Sequence, residues 1–390
     1  LPALGSAAAL DGMTGLVVLS AGNSYLLRTL GAAAVLPALA LTLHALTKIT
    51  ASPLAGRLTD RRHAAAVLPA VPLLAGIGLA TMLATHSVGG YLAGLATLTA
   101  GTSTAWVLLR HAIGNATTSA GRGNATTWIS LASGGAAAAG FGAGTLLAGV
   151  APRAAFIVAL ALAATATLLL RLVHRAPAAH DTEAAHRTVK TATGRPGRIE
   201  SVTLGLIAAG QFALAAGLLV AFWPFVLRDL DVGLFHLAAL LVPAGGITLG
   251  VLAGVARWSR PGRRLTEVTT LFAAGAAGLA LAAGSRDALT FGIAMAAVIP
   301  AQAAGAPLVA AAVIDFSRGR RGPAGALGWL GAAEAAGGLT GSALTGIAIT
   351  LVGARGAFAT LAIVAATLTA VALASRRVTV RPLPSRLPAQ

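Results

Sequence analysis

The stretch AAGFGAGTLLAG at 138–149 and the stretch AAGGLTGSALTG at 335–346 keep three glycines in register: Gly140 with Gly337, Gly144 with Gly341, and Gly149 with Gly346. Taken singly, each is an apolar run with small residues at helical spacing. Together they read as two copies of one helix, and further matches fall in the same order along the chain at a separation near 200 residues. Leu4 and Gly5 answer to Leu204 and Gly205, Asp11 to Gln211, and LLRTL ending at Leu30 to VLRDL ending at Leu230. Gly56 of PLAGRLTDRR pairs with Gly254 of VLAGVARWSR, RGNA from Arg122 with RGPA from Arg321, and RAAF at 153–156 with RGAF at 355–358. An ordered repeat over the whole length predicts two similar halves.

Composition says what those halves are dissolved in. The chain has 390 residues, of which 56% are hydrophobic and only 10% charged, with a mean hydropathy of +0.82; soluble proteins carry about 25% charged residues. So little charge cannot cover a water-soluble globule, and the remaining solvent is lipid. A membrane helix needs roughly 20 apolar residues. Such runs lie at about 4–26, 34–56, 64–85, 90–109, 124–148 and 154–173, and again at about 201–224, 234–256, 266–284, 288–313, 324–348 and 356–374. They are too long and too continuous for the alternating ten-residue strands of a membrane barrel. The expected fold is an all-α integral membrane protein with twelve transmembrane helices in two pseudo-symmetric six-helix bundles, 1–173 and 200–375. The polar segment 174–199 reads as a cytoplasmic linker, and 376–390 as a cytoplasmic tail.

The net charge of +17 is explained by topology, since loops rich in Arg and Lys stay on the cytoplasmic side. With the N-terminus inside, the outer loops hold only Arg28, Arg153, Arg228, Arg286 and Arg355. The other basic residues, Arg110 among them, fall in inner loops and the tail, apart from Lys48 within a span. Both termini are expected in the cytoplasm, in a multi-pass protein of the cytoplasmic membrane. No dense basic tract with interleaved aromatics points to nucleic acid. The chain opens at Leu1 directly in an apolar run, which reads as a shortened N-terminus without a signal peptide. Zero cysteines exclude thiolate metal sites and cysteine nucleophiles, and no cofactor or metal is expected. Asp229 and Asp231 alone lack the further ligands a metal needs. No GKS or GKT motif is present for a phosphate loop, which disfavours a nucleotide-powered pump.

At GRLTDR, 56–61, the sequence resembles the major facilitator superfamily: a Gly, a Leu and then Asp-Arg match the family's loop signature between helices 2 and 3. The resemblance implies a monomeric secondary transporter, not an enzyme, that moves a small organic solute by alternating access. It implies a latch made by Gly56, Asp60 and Arg61. It also implies that helices 1 and 7 line a central cavity while helices 2 and 11 face each other across the halves. Two departures stand out. Thr97 before Gly101 occupies the place of the helix 4 Arg found in many proton-coupled members, and Phe141 in GFGAGT replaces the Pro of the helix 5 exporter signature.

Charges at membrane depth cost about 2.5–3.5 kcal/mol on insertion scales, so each is a functional hypothesis. Lys48 lies mid-helix with His44 one turn before it on the same face. Glu334 sits in GAAEAAGG, Asp11 in the inner half of helix 1, and Gln211 at its equivalent in helix 7. The expected mechanism pairs Lys48 with Glu334. Burial favours a neutral carboxyl and a nearby cation favours a carboxylate, so parting from Lys48 favours a proton on Glu334. Proton binding at Glu334, with Asp11 as a second site, would then alternate with solute binding. Gln211, Gln302, Asn23, Tyr25, His44 and Lys48 are candidates to line or gate the cavity. Proton-coupled export of a drug-like or metabolite solute is expected from the titratable carboxylates in an apolar cavity. The alternative is proton-coupled uptake of a small, possibly anionic solute, suited by His44 and Lys48. An integral membrane enzyme and a channel are the competing classes.

Overall fold

The computed structural model describes residues 2–30, 36–62, 64–117, 122–175, 198–230, 234–260, 263–317 and 323–379. Among these residues there are only helices: α1 Pro2–Ser24, α2 Leu36–Arg62, the short α3 Ala64–Val67 running into α4 Ala70–Ala84, α5 Val88–Ala116, α6 Arg122–Val150 and α7 Pro152–Arg175. The second half holds α8 Arg198–Pro224, α9 Leu234–Trp258, α10 Arg264–Gly284, α11 Ala288–Ser317 and α12 Pro323–Thr379. Gly353, at φ 75°, breaks α12 into two arms. This is left-handed backbone that residues with a Cβ avoid. Seven of the described helices, with the bent α12 counted once, are long and apolar enough to cross a membrane.

The repeat is visible in local geometry. Both α1 and α8 end in a five-residue π-helical turn, Tyr25–Thr29 and Phe225–Asp229. On one side of each turn a buried aromatic triad closes the bundle. Tyr25, Tyr91 and Phe156 meet at centroid distances of 5.3 to 6.4 Å; Phe225, Phe291 and Phe358 meet at 5.1 to 5.8 Å. The first turn of α5 is capped by Ser87, which accepts from the Gly90 N–H. That of α11 is capped by Asp287, which accepts from the Thr290 N–H and hydroxyl. These bonds favour the ionised form and hold the Asp287 carboxyl below the usual carboxylate range. The glycine repeat also has one purpose in both halves: a Cβ at Gly140 would strike the Met13 backbone of α1, and one at Gly337 the Ala209 backbone of α8. Small residues let membrane helices approach to backbone contact.

Helix ends differ from the sequence expectation in an instructive way. Hydropathy ends α2 near 56 and α5 near 109, whereas the helices run on to Arg62 and Ala116, because backbone hydrogen bonding continues through polar residues that hydropathy counts as loop. Arg110, assigned above to an inner loop, is therefore inside α5. The segment 174–199 begins as the end of α7 and ends as the start of α8, and the tail 376–390 begins as the end of α12. Residues 176–197 and 380–390 lie outside the described residues, as does Asp231.

Candidate functional site: the interface between the two bundles

The halves meet where α2 ends and α12 begins. Gly56 packs on the Ala324 carbonyl so closely that a Cβ there would collide with backbone, and Gly328 does the same on the Ser52 carbonyl. Between them Ala55, Ala324 and Val107 of α5 form a small apolar cluster that bridges the halves. Asp60 accepts from the Ala324 N–H at 3.0 Å and the Gly325 N–H at 2.6 Å. A carboxylate of one half thus caps the N-terminus of the other half's helix, satisfying two donors that an α-helix leaves open and meeting the positive end of its dipole. On the flank, the Arg57 guanidinium lies 5.7 Å from the Trp329 ring centroid. Of the three residues named for a latch, Gly56 and Asp60 touch α12, while Arg61 is exposed and makes no hydrogen bond or ion pair among the described residues.

Deeper in, Arg110 Nη2 donates to Glu334 Oε1 at 2.7 Å, with side-chain exposures of 7% and 3%. The pair joins α5 of the first half to α12 of the second, and Trp106, one turn before Arg110, stacks its ring 4.6 Å below the guanidinium. The partner expected for Glu334 was Lys48. Lys48 stands beyond ion-pair distance from every acid among the described residues, with its ammonium 5.8 Å from the Phe212 ring centroid on α8. Sequence reading missed Arg110 because it lies near the end of an apolar run, and charges there are read as loop. The usable signal was Trp106, set at i,i+4 to offer a ring to a cation.

The remaining candidates separate. Gln211 is buried and donates through Nε2 to the Gln302 backbone oxygen at 2.7 Å and to Gln302 Oε1 at 2.8 Å. These two therefore form one polar site between α8 and α11. His44 Nδ1 is 2.9 Å from the Thr99 hydroxyl on α5, which fixes the ring on the first half. Tyr25 is fully buried in the aromatic triad and its hydroxyl donates to the Thr85 carbonyl at 2.9 Å. That is a bundle-closing role, away from Glu334. The Asn23 side chain lies outside the described residues. Thr97 hydrogen-bonds within its own helix. Asp229 pairs loosely with Arg355 at 3.9 Å. Asp11 and Lys48 are half-buried.

A profile of the Major Facilitator Superfamily matches residues 4–318. A search of curated proteins finds no match. Among solved structures, the chain is similar to the human organic anion transporter MFSD10 (TETRAN), with 16% identity, coverage of 95% of this chain and 98% of that one, and a TM-score of 0.70. The proton:xylose symporter XylE gives 13% identity, coverage of 94% and 93%, and a TM-score of 0.72. The Escherichia coli fucose:proton symporter FucP gives 14% identity, coverage of 94% and 97%, and a TM-score of 0.63. These identities speak for the fold. With the family profile spanning most of the chain, the two repeated helical bundles and the interface between them are those of a transporter and not an enzyme, and the protein belongs to the Major Facilitator Superfamily.

Proposed function

We propose that the protein is a proton-coupled secondary transporter of a small organic solute, working by alternating access in the cytoplasmic membrane as a monomer with both termini in the cytoplasm. The observation that carries the reading is the buried Arg110–Glu334 pair between the halves. Two charges out of water are tolerable only while they hold each other, and removing one partner from such a pair costs about 3–5 kcal/mol. Rocking that parts α5 from α12 strands Glu334 in apolar surroundings, where the neutral acid is the stable form. A proton on Glu334 therefore accompanies opening, and re-pairing with Arg110 releases it. Asp11, half-buried on α1, serves as a second proton site.

With basic loops on the cytoplasmic side, the end closed by Asp60, Arg57 and Trp329 is the cytoplasmic end in this reading. The Asp60 cap and the glycine contacts hold that end shut, and the ion pair makes the closure responsive to protons. Two proteins of similar fold, the proton:xylose symporter XylE and the fucose:proton symporter FucP, couple to protons, which supports the reading by kinship of fold. A cationic solute leaving against an incoming proton and an anionic solute entering beside one both fit this cycle. The charge that the cavity presents decides between them.

Proteoliposomes loaded with a pH-reporting dye test the proposal, with a panel of organic acids, amines and amides as solutes. A panel member should shift lumenal pH, and an imposed proton gradient should drive its accumulation. Glu334→Gln should abolish gradient-driven accumulation while solute exchange continues. Unchanged gradient dependence in Glu334→Gln rejects Glu334 as the coupling site.

A further inference from the structure

The side chain of Arg110 has two partners among the described residues, and they belong to different halves. Its Nη2 donates to Glu334 Oε1 across the interface at 2.7 Å, while the guanidinium lies 4.6 Å from the ring centroid of Trp106, one turn earlier on its own helix. A single hydrogen bond joins the ion pair: Arg110 Nη1 and Glu334 Oε2 are buried and have no hydrogen-bond partner among the described residues. When α5 and α12 part, Glu334 leaves with the second half and a proton discharges it, whereas a guanidinium does not give up its proton in proteins. Arg110 therefore carries its charge into the parted arrangement, and Trp106 is the partner that travels with it. The ring is no part of the shared architecture. In register with the equivalent rings Tyr91 and Phe291, α11 has Ala306 and Ala310 where α5 has Trp106 and Arg110. In register with Gly140 and Gly337, α6 has Ala137 where α12 has Glu334. The bundles thus repeat without the cation, the ring or the carboxylate.

We infer that Trp106 is a positioning residue of the proton cycle: it holds the Arg110 cation on α5 while Glu334 is away, and so sets how much acid the opening requires. The role rests on the proton-coupled reading above. In the closed pair the carboxylate already answers most of the guanidinium charge, and the ring adds little. In the parted arrangement the π face is what the cation keeps. Such contacts strengthen as water is excluded, and Trp is the best of the three rings for them. Losing the ring therefore penalises the parted arrangement more than the closed one. Other charged or titratable groups surround the pair. On α2, His44 is held by Thr99, Lys48 and Arg57 lie over Phe212 and Trp329, and Asp60 caps α12. On α11, Asp315 pairs with Arg264 of α10, whose next turn carries Glu267; α1 carries Asp11, α5 itself His111, and α6 and α8 have such groups only at their starts. Among the described residues none of these bonds to Arg110 or Glu334, which leaves Trp106 and the ion pair as the unit that parts.

Spin labels at positions 62 and 257 of the full chain in lipid, read by pulsed electron resonance across a pH series, give the midpoint at which the halves part. Trp106→Leu should disfavour the parted arrangement by about tenfold, seen as a midpoint lower by about one pH unit for one linked proton. Trp106→Phe, which keeps a weaker π face and most of the volume, should fall between Leu and the wild type. In the Arg110→Met/Glu334→Leu background no cation is left to hold, so adding Trp106→Leu should leave the distance populations where they are. A midpoint that stays put or rises in Trp106→Leu, even with a lowered Tm, overturns the role and makes Trp106 a packing residue. An equal shift in the background without the two charges overturns it as well. The two readings fail separately. A wild type that parts with acid while Trp106→Leu keeps its midpoint removes only the role of Trp106, whereas wild-type distances that ignore pH remove the proton cycle and this role with it.

Discussion

Arg110 and Glu334, on helices of opposite halves, share a hydrogen-bonded ion pair of 2.7 Å with almost no exposed side-chain surface. Removing one member should be worse than removing both. Arg110→Met or Glu334→Leu alone should each lower stability by about 3–5 kcal/mol, because each leaves an uncompensated buried charge, and the double variant should recover most of the loss. Thermal unfolding of the four proteins in one detergent, analysed as a double-mutant cycle, checks this. Additive losses would show that the pair is not a unit.

Asp60 holds two backbone N–H groups at the start of α12. Asp60→Ala should cost about 0.5–2 kcal/mol, the usual worth of an N-cap, and the loss falls on the closed arrangement alone. The equilibrium should shift toward the other arrangement by a factor on the order of ten. The labelling rate of a single cysteine placed on the cavity wall reports that population, and the absence of native cysteines leaves no background.

Gly56 and Gly328 are replaceable by nothing larger without moving backbone. Gly56→Val and Gly328→Val should prevent closure of that end and abolish transport while the purified protein stays monodisperse. Gly245→Ala, at a position with open space around it, should transport normally. Normal transport by Gly56→Val would show that this contact opens or stays closed without consequence.

Tyr25 separates architecture from solute handling. Tyr25→Phe should lower stability by about 1 kcal/mol through loss of the bond to the Thr85 carbonyl and leave solute affinity unchanged. A large change in affinity with unchanged Tm would return Tyr25 to the cavity.

The two-bundle fold was legible because equivalent residues do equivalent work in both halves. RAAF and RGAF each supply the last ring of an aromatic triad, Phe156 and Phe358, and LLRTL and VLRDL each form a π-helical turn. Gly56 and Asp60 were legible through the loop signature that contains them. The partner of Glu334 was not. Lys48 and Arg110 are both basic, both in reach of α12, and sequence distance does not say which guanidinium or ammonium a helix crossing delivers to the carboxylate. Hydropathy also hid Arg110 by ending its helix too early. Phe212 under Lys48 was equally out of view, since it comes from the other half and shares no motif with Lys48.

The central claim is that the halves part at the end now held by Asp60 and Glu334. Spin labels at Arg62 and Arg257, exposed positions near the ends of α2 and α9, measure it directly by pulsed electron resonance in lipid. The account predicts a short distance population at high pH and a growing longer one as pH falls, with Glu334→Gln populating the longer one at every pH. A single distance that ignores both pH and Glu334→Gln, in protein that still transports, would contradict it.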